Sequence, residues 1–256
     1  MFGLITGSGL YDVPGLVDRQ VDEIATPYGP PVLLTTGRLG GIEVCFIPRH
    51  GSDHSVPPNA INYRANIAAL HQAGATAVLA TAVVGSIEPA WGEGTMAVLS
   101  DVINFTSGRP DTFFDGTAPA PIPVASPVVH TDMSDPYHPA LRQAILTAAA
   151  ELGIHVEPEA VYCCTNGPRF ETKAEIAMMG RLGGQVVGMT GYPEVALAVE
   201  VGLPYASIAL VSNHAAGVSP ATVSVSDIIE ALDRRAPAVF SLVTRTLEVY
   251  ERERSR

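Results

Sequence analysis

The sequence predicts an α/β fold in which a twisted, mixed central sheet is flanked by helices, carried by a single domain over 1–256. Three observations lead there. Short apolar or β-branched runs alternate along the chain with amphipathic helical runs. The helical runs at 60–73 and 139–152 each meet a glycine stop signal. The run Thr76 to Val84 is continuously apolar or β-branched, the mark of a strand covered on both faces.

The elements follow in order. Phe2 to Ile5 reads as a short buried strand opening into Thr6-Gly7-Ser8-Gly9. Val32 to Thr36 and Val44 to Ile47 alternate around Gly40-Gly41, a hairpin pattern. Ala60 to Ala73 reads as a helix with Ile61, Ala65, Ala68 and Ala69 on one face, and the strand Thr76 to Val84 follows. Pro139 to Leu152 is a second helix. In the strand Ala160 to Thr165, adjacent Cys163 and Cys164 point to opposite faces. Glu171 to Leu182 is a helix with Glu171 in its first turn, and Val186-Val187 opens a short strand. Pro193 to Val201 is a helix and Tyr205 to Val211 a strand. Ser224 to Tyr250 is helical, with a kink or break expected at Pro237. Thr106 to Pro127, rich in Pro, Gly, Asp and Thr, lies inside one alternating pattern, so it reads as a functional loop and not a domain linker.

Composition narrows the function classes. With 47% apolar and 16% charged residues the chain can bury a sizeable core and is far from a disordered composition. A formal charge of −11 argues against a nucleic-acid surface, which needs clustered Lys and Arg. The longest nearly apolar stretch, Val78 to Ile87, is about half of what a membrane helix needs. No basic segment or cleavage site precedes the first strand, and Cys45, Cys163 and Cys164 form no metal spacing. The expectation is a cytoplasmic protein that touches neither membrane nor nucleic acid.

Polar clusters recur where strands end. Thr6-Gly7-Ser8-Gly9 can cradle an anion with backbone N–H groups and the Ser8 hydroxyl, although a ligand-free turn has the same sequence. Arg49-His50-Gly51 offers a guanidinium fork and a close backbone approach, although a surface Arg beside a structural His reads identically. Asn166 to Thr172, Met189-Thr190-Gly191 and Ser212-Asn213-His214 repeat the arrangement; Glu171 alone could simply serve a helix dipole. Five such clusters make one crevice at the strand ends the economical reading. No nucleophile elbow or metal spacing is present, which suits a reaction whose nucleophile is itself a bound anion.

Together these motifs resemble the trimeric purine nucleoside phosphorylase and methylthioadenosine phosphorylase family over nearly the whole chain. The specific pieces are Thr26-Pro27-Tyr28-Gly29, Arg49-His50-Gly51, Asn62 to Asn66, Gly167-Pro168-Arg169-Phe170 and Gly188 to Glu194. The resemblance implies phosphate ligands at Ser8, Arg49, His50 and Thr190, with the Ala82 backbone nearby, and base or ribose walls at Phe170 and Met189. Two departures stand out. The opening turn is Thr-Gly-Ser-Gly where the family often has Gly-Gly-Thr-Gly, and Ala82 stands where methylthioadenosine enzymes often carry Thr.

The same resemblance divides substrates. Aminopurine enzymes place Asp residues at the strand end matched here by Asn213 and Ala215, whereas oxopurine enzymes carry an Asn there and a Glu like Glu171. Asn213 can donate to O6 or N7 while Glu171 accepts from N1–H, which adenine lacks. In the segment where inosine and guanosine enzymes offer a His to the 5′-hydroxyl, this chain has apolar Val225 and Ile228. His130 matches a residue that methylthio-nucleoside enzymes supply from a neighbouring subunit. The expectation is a homotrimeric, metal-free and cofactor-free phosphorylase with His50, Asn213 and Glu171 as catalytic groups. Its substrates would be phosphate and an oxopurine nucleoside, S-methyl-5′-thioinosine foremost. The rivals are an inosine/guanosine phosphorylase, a methylthioadenosine phosphorylase and a non-catalytic nucleotide-binding module. The last needs an acid for the ribose, and Asp22 and Glu23 lie too close to Gly7-Ser8-Gly9 for that.

Overall fold

A computed structural model describes residues 1–7, 9–10, 12–51, 53–126, 128–220 and 225–255, with the side chains of 225–231 and 233 outside the description. The strands are β1 (Phe2–Thr6), β2 (Val17–Thr26), β3 (Gly29–Leu39), β4 (Ile42–Pro48), β5 (Val78–Ser86), β6 (Met96–Asn104), β7 (Glu157–Cys164), β8 (Val186–Gly188) and β9 (Tyr205–His214). The helices are α1 (Tyr63–Gln72), α2 (Pro139–Leu152), α3 (Lys173–Arg181), α4 (Gly191–Glu200) and α5 (Val225–Arg254). Among the described residues, these nine strands join one mixed sheet in the order β2-β3-β4-β1-β5-β8-β7-β6-β9. A further pairing of β9 with β5 closes the last five into a ring.

One strand organises the site. β5 pairs with β1 through Val78 to Ala80 and, on the same edge, with β8 through Gly85 and Ser86. Between those pairings, Thr81 to Val84 pair with β9 alone. β1 runs parallel to β5 and β8 antiparallel to it, so the chain leaving β1 and the chain leaving β8 converge on this gap.

Helices cover both faces of the sheet. α2 and α5 bury Leu141, Ile145, Leu242 and Val243 against Phe2, Leu4, Phe46 and Leu79. On the other face α1 and α4 bury Ile67, Leu70 and Leu197 with Ile5, Ile47 and Ala80. Alternate β1 side chains thus serve opposite cores, which is why its sequence is apolar throughout. Cys164 packs in the α1/α4 core while Cys163 joins Ile176 and Met179 of α3, so the pair does face opposite ways. None of the described helices is long and apolar enough to cross a membrane.

Several boundaries differ from the sequence reading. The first helix starts at Tyr63 and not near Ala60, because the Asn62 side chain caps it by accepting from Ala65 N and Pro58–Ala60 forms a separate 3-10 turn. Glu171 lies outside α3: Thr172 is the N-cap, in a capping box with Glu175. The last helix continues through Pro237, although a proline there removes one intrahelical hydrogen bond. β2 and β6 were not expected, β2 because it is exposed along most of its length and so shows no clean buried stripe.

Candidate active site

The loop after β1 enters the gap first. Gly7 N lies 3.4 Å from Thr81 Oγ1, and a side chain at position 7 would start 3.2 Å from Arg49 Nη1, so the backbone approaches that guanidinium closely. Gly9 adopts φ +73 and would collide with Leu232 of α5, which brings the early part of that helix beside the loop. Ser8 lies outside the described residues, as do the side chains of Val225 and Ile228, whose backbone begins α5.

Arg49 and His50 follow β4, and both are buried. Arg49 is already partnered: Nε and Nη2 donate to the two oxygens of Glu194, each at 2.7 Å, and Nη1 donates to Thr81 O at 3.1 Å. Glu194 is fully buried and also accepts from Tyr205 Oη at 2.7 Å. Burial alone would lower the Arg49 pKa, but the Glu194 carboxylate outweighs it and holds the guanidinium above its ordinary value. The sequence reading has the Arg49 fork facing two phosphate oxygens, with a surface Arg as the alternative. The fork is in fact spent on a carboxylate, leaving the remaining N–H of Nη1 and of Nη2 for a ligand.

The His50 ring is clamped: its Nδ1 is 2.8 Å from Val56 O, and Val56 N donates back to His50 O at 3.0 Å. A carbonyl accepts only, so Nδ1 carries the proton. Burial is the largest cause that pushes the ring down to about 4, joined by Arg49 and His54 and opposed by the Val56 carbonyl and Glu194. His50 is therefore a neutral imidazole at neutral pH. Thr190, buried ahead of α4, makes no capping bond with its hydroxyl, while its N–H and that of Gly191 reach Tyr162 Oη at 3.1 and 3.3 Å. Ala82 is buried on β5 inside the gap.

A second group gathers at the ends of β7, β8 and β9. Thr165 Oγ1 donates to Glu171 Oε1 at 2.7 Å and steadies the carboxylate. Ser212 Oγ donates to Asn213 Oδ1 at 2.7 Å, and Asn213 Nδ2 donates to His214 O at 2.8 Å. Those two bonds fix the amide orientation and leave the second N–H of Nδ2 to donate. Ala215 is buried with Cys163 and Val187. Met189 sits against Gly167, where any side chain would strike its thioether, and Phe170 is 43% exposed. Lys173 of α3 packs on Gly217, which ties the segment holding Glu171 to the segment after Asn213.

The long loop is tied across these ends. Arg109 donates to Tyr192 O at 2.7 Å and to Asn166 O at 2.9 Å, and its guanidinium lies 5.3 Å from the Tyr63 ring centroid. Asn166 and Ser107 exchange hydrogen bonds, and Tyr192 Oη donates to Asp111. His130, further along, is exposed, so this chain's own site does not enclose it. Sequence reasoning missed Glu194 and Arg109 as site residues. The available signals were an acid amid the apolar residues early in a helix and the one basic residue of the Thr106–Pro127 stretch. The Thr26–Gly29 and Asn62–Asn66 motifs are absorbed by scaffolding: Asn62 Nδ2 donates to Tyr28 O, and Arg64 lies over the Tyr28 ring and pairs with Asp115 at 2.6 Å.

Comparison with known proteins bears on the family and the fold. The family model described as Phosphorylase superfamily matches residues 1–248. A 6-oxopurine nucleoside phosphorylase from Pyrococcus furiosus is 42% identical, over 98% of this chain and 93% of the relative. A probable S-methyl-5′-thioinosine phosphorylase from Pseudomonas syringae pv. tomato is 44% identical, over 96% and 98%. Among solved structures, methylthioadenosine phosphorylase from Schistosoma mansoni in complex with adenine superposes with a TM-score of 0.88 at 32% identity, covering 97% of this chain and 90% of that one.

Proposed function

This chain belongs to the phosphorylase superfamily, and on that footing we propose that it uses inorganic phosphate to split the N-glycosidic bond of 6-oxopurine nucleosides, S-methyl-5′-thioinosine foremost. The observation that carries the base assignment is the pairing of a fixed donor with a fixed acceptor. Asn213 is left with an N–H to give to O6 or N7, and the Thr165-held carboxylate of Glu171 accepts from N1–H. Relatives named for 6-oxopurine nucleosides and for S-methyl-5′-thioinosine support the same choice.

Phosphate occupies the gap beside Thr81 to Val84, held by Arg49, His50, Thr190, Ser8 and the Ala82 backbone. Held there, it attacks C1′ as the glycosidic bond loosens into an oxocarbenium-like state, an advantage of orientation and not of covalent chemistry. Asn213 stabilises the charge growing on the departing base as a pre-aimed dipole. Phe170 and Met189 wall the nucleoside, Ala215 leaves room beside the base, and Val225 and Ile228 surround the 5′ substituent. His130, exposed on its own subunit, reaches the site of a neighbouring copy in a homotrimer. The reaction needs neither metal nor organic cofactor, works in the cytoplasm as one domain spanning the chain, and serves purine salvage. A panel of inosine, guanosine, methylthioadenosine and methylthioinosine, assayed with and without phosphate, tests the reading; turnover without phosphate overturns it.

A further inference from the structure

We infer that His50 makes the anion site selective for a tetrahedral oxyanion that carries a proton, by accepting a hydrogen bond from the ligand's hydroxyl at Nε2. This rests on the phosphate reading above and deepens it. The tautomer follows from geometry, since Val56 O lies 2.8 Å from Nδ1 and can take only a donor. The Val56 N–H returns a bond to His50 O, so the residue is held at two points and the ring cannot swap its nitrogens without breaking the clamp. Nε2 has no hydrogen-bond partner among the described residues although the residue is only 5% exposed, so its lone pair is left to accept from a bound ligand.

The surroundings keep the ring in that state. The charged and titratable groups that act on it are Arg49, His54 and Glu194. Arg49 and Glu194 are paired with each other at 2.7 Å, so the gap gains little net charge from them and offers no isolated carboxylate to draw a proton onto the imidazole. Where net charge is small, hydrogen-bond matching decides between anions of equal charge. Hydrogen phosphate carries one hydroxyl for Nε2 and turns unprotonated oxygens toward the N–H groups of Arg49 and the hydroxyl of Thr190. Sulfate has the same charge and shape but no proton, and it would set an oxygen lone pair against that of Nε2. Buried sites built to bond a ligand hydroxyl reject the analogue lacking it strongly.

The test is calorimetric titration of the full chain near pH 7.5 with phosphate, arsenate, sulfate and monofluorophosphate, with phosphorolysis of inosine assayed in parallel. Arsenate, which carries a hydroxyl, should bind within about tenfold of phosphate. Sulfate and monofluorophosphate, which have none, should bind at least roughly a hundredfold more weakly. In His50→Gln the amide can turn a donor toward the ligand, so the gap between sulfate and phosphate should shrink to about tenfold or less; an unchanged gap counts against the inference. Sulfate or monofluorophosphate binding the wild-type chain as tightly as phosphate overturns it even if the variant fails to fold. Selective binding without phosphate-dependent turnover leaves the inference standing and sinks the phosphorolysis reading, so the two failures are distinct.

Discussion

Arg49 and Glu194, 145 positions apart in sequence, meet through two parallel 2.7 Å hydrogen bonds at a site where neither side chain has more than 1% of its surface exposed. Such a pair costs desolvation on both sides, and removing one partner strands the other as a buried charge. Arg49→Ala is expected to lower unfolding free energy by about 3–5 kcal/mol. Replacing both by apolar residues of similar volume should recover much of that. Urea unfolding of the two singles and the double decides it, and additive losses would contradict the pairing.

Glu194→Gln separates positioning from binding. The amide keeps the volume and one acceptor but turns an N–H toward the guanidinium, so Arg49 loses one anchor. A charge-assisted bond is worth about 1.5–3 kcal/mol. The KM for phosphate should therefore rise roughly tenfold or more, with the KM for nucleoside little moved. Equal rises in both constants would mean a general loosening of the fold.

His50 also makes stability depend on acidity in a defined window. Its folded pKa is lowered from 6.5 to about 4. Between those values the unfolded chain binds a proton that the folded chain declines, so stability is full above pH 6.5 and is lost as pH falls toward 4. The full shift corresponds to roughly 3 kcal/mol. Glu175, held near 2 chiefly by its hydrogen bond from Arg169, acts lower, below the ordinary glutamate range. A pH series of thermal melts should show the slope from 6.5 downward, and His50→Gln should flatten it.

Base preference should follow Asn213 and Glu171. Adenine offers no N1–H, so a bound adenine nucleoside leaves the Glu171 acceptor unmatched at a cost of roughly 1–3 kcal/mol. Hypoxanthine nucleosides should win by about tenfold or more in kcat/KM. Asn213→Asp should move the preference toward the aminopurine. Thr165→Val, which frees the Glu171 carboxylate from its 2.7 Å tether, should raise the nucleoside KM several-fold.

At the other end of the nucleoside, a 5′-methylthio group should outperform a 5′-hydroxyl by at least about tenfold in kcat/KM. An unpartnered buried hydroxyl costs roughly 1–3 kcal/mol, while the thiomethyl gains from apolar burial. His214, the other ring able to serve a hydroxyl, has Nε2 3.3 Å from Pro89 O. Side-by-side assays of inosine and S-methyl-5′-thioinosine check this, and equal efficiencies would refute it.

Much of this was legible because local chemistry wrote it. Gly153 ends α2 at φ +66, and Cys163 and Cys164 split between two cores because a strand alternates faces. The polar clusters at strand ends could be read from the sequence. Their inner wiring could not, since the partners of Arg49 are Thr81 and Glu194, on elements brought together only by the order of strands in the sheet. Likewise no local pattern announces that His50 spends Nδ1 on Val56, or that Asn213 has one N–H left.

The ring formed by β5, β8, β7, β6 and β9 has a consequence for how this molecule meets others of its kind. Closing that end removes the unpaired backbone a flat sheet would present there, so among the described strands β2 is the open rim. A foreign strand seeking to extend the sheet must dock on β2, where it finds apolar Val17 and Val21 exposed but also Asp18, Asp22 and Glu23. A charged side chain that would lose water in a growing cross-strand stack is a gatekeeper. Three carboxylates on this rim therefore guard the described sheet against templated aggregation.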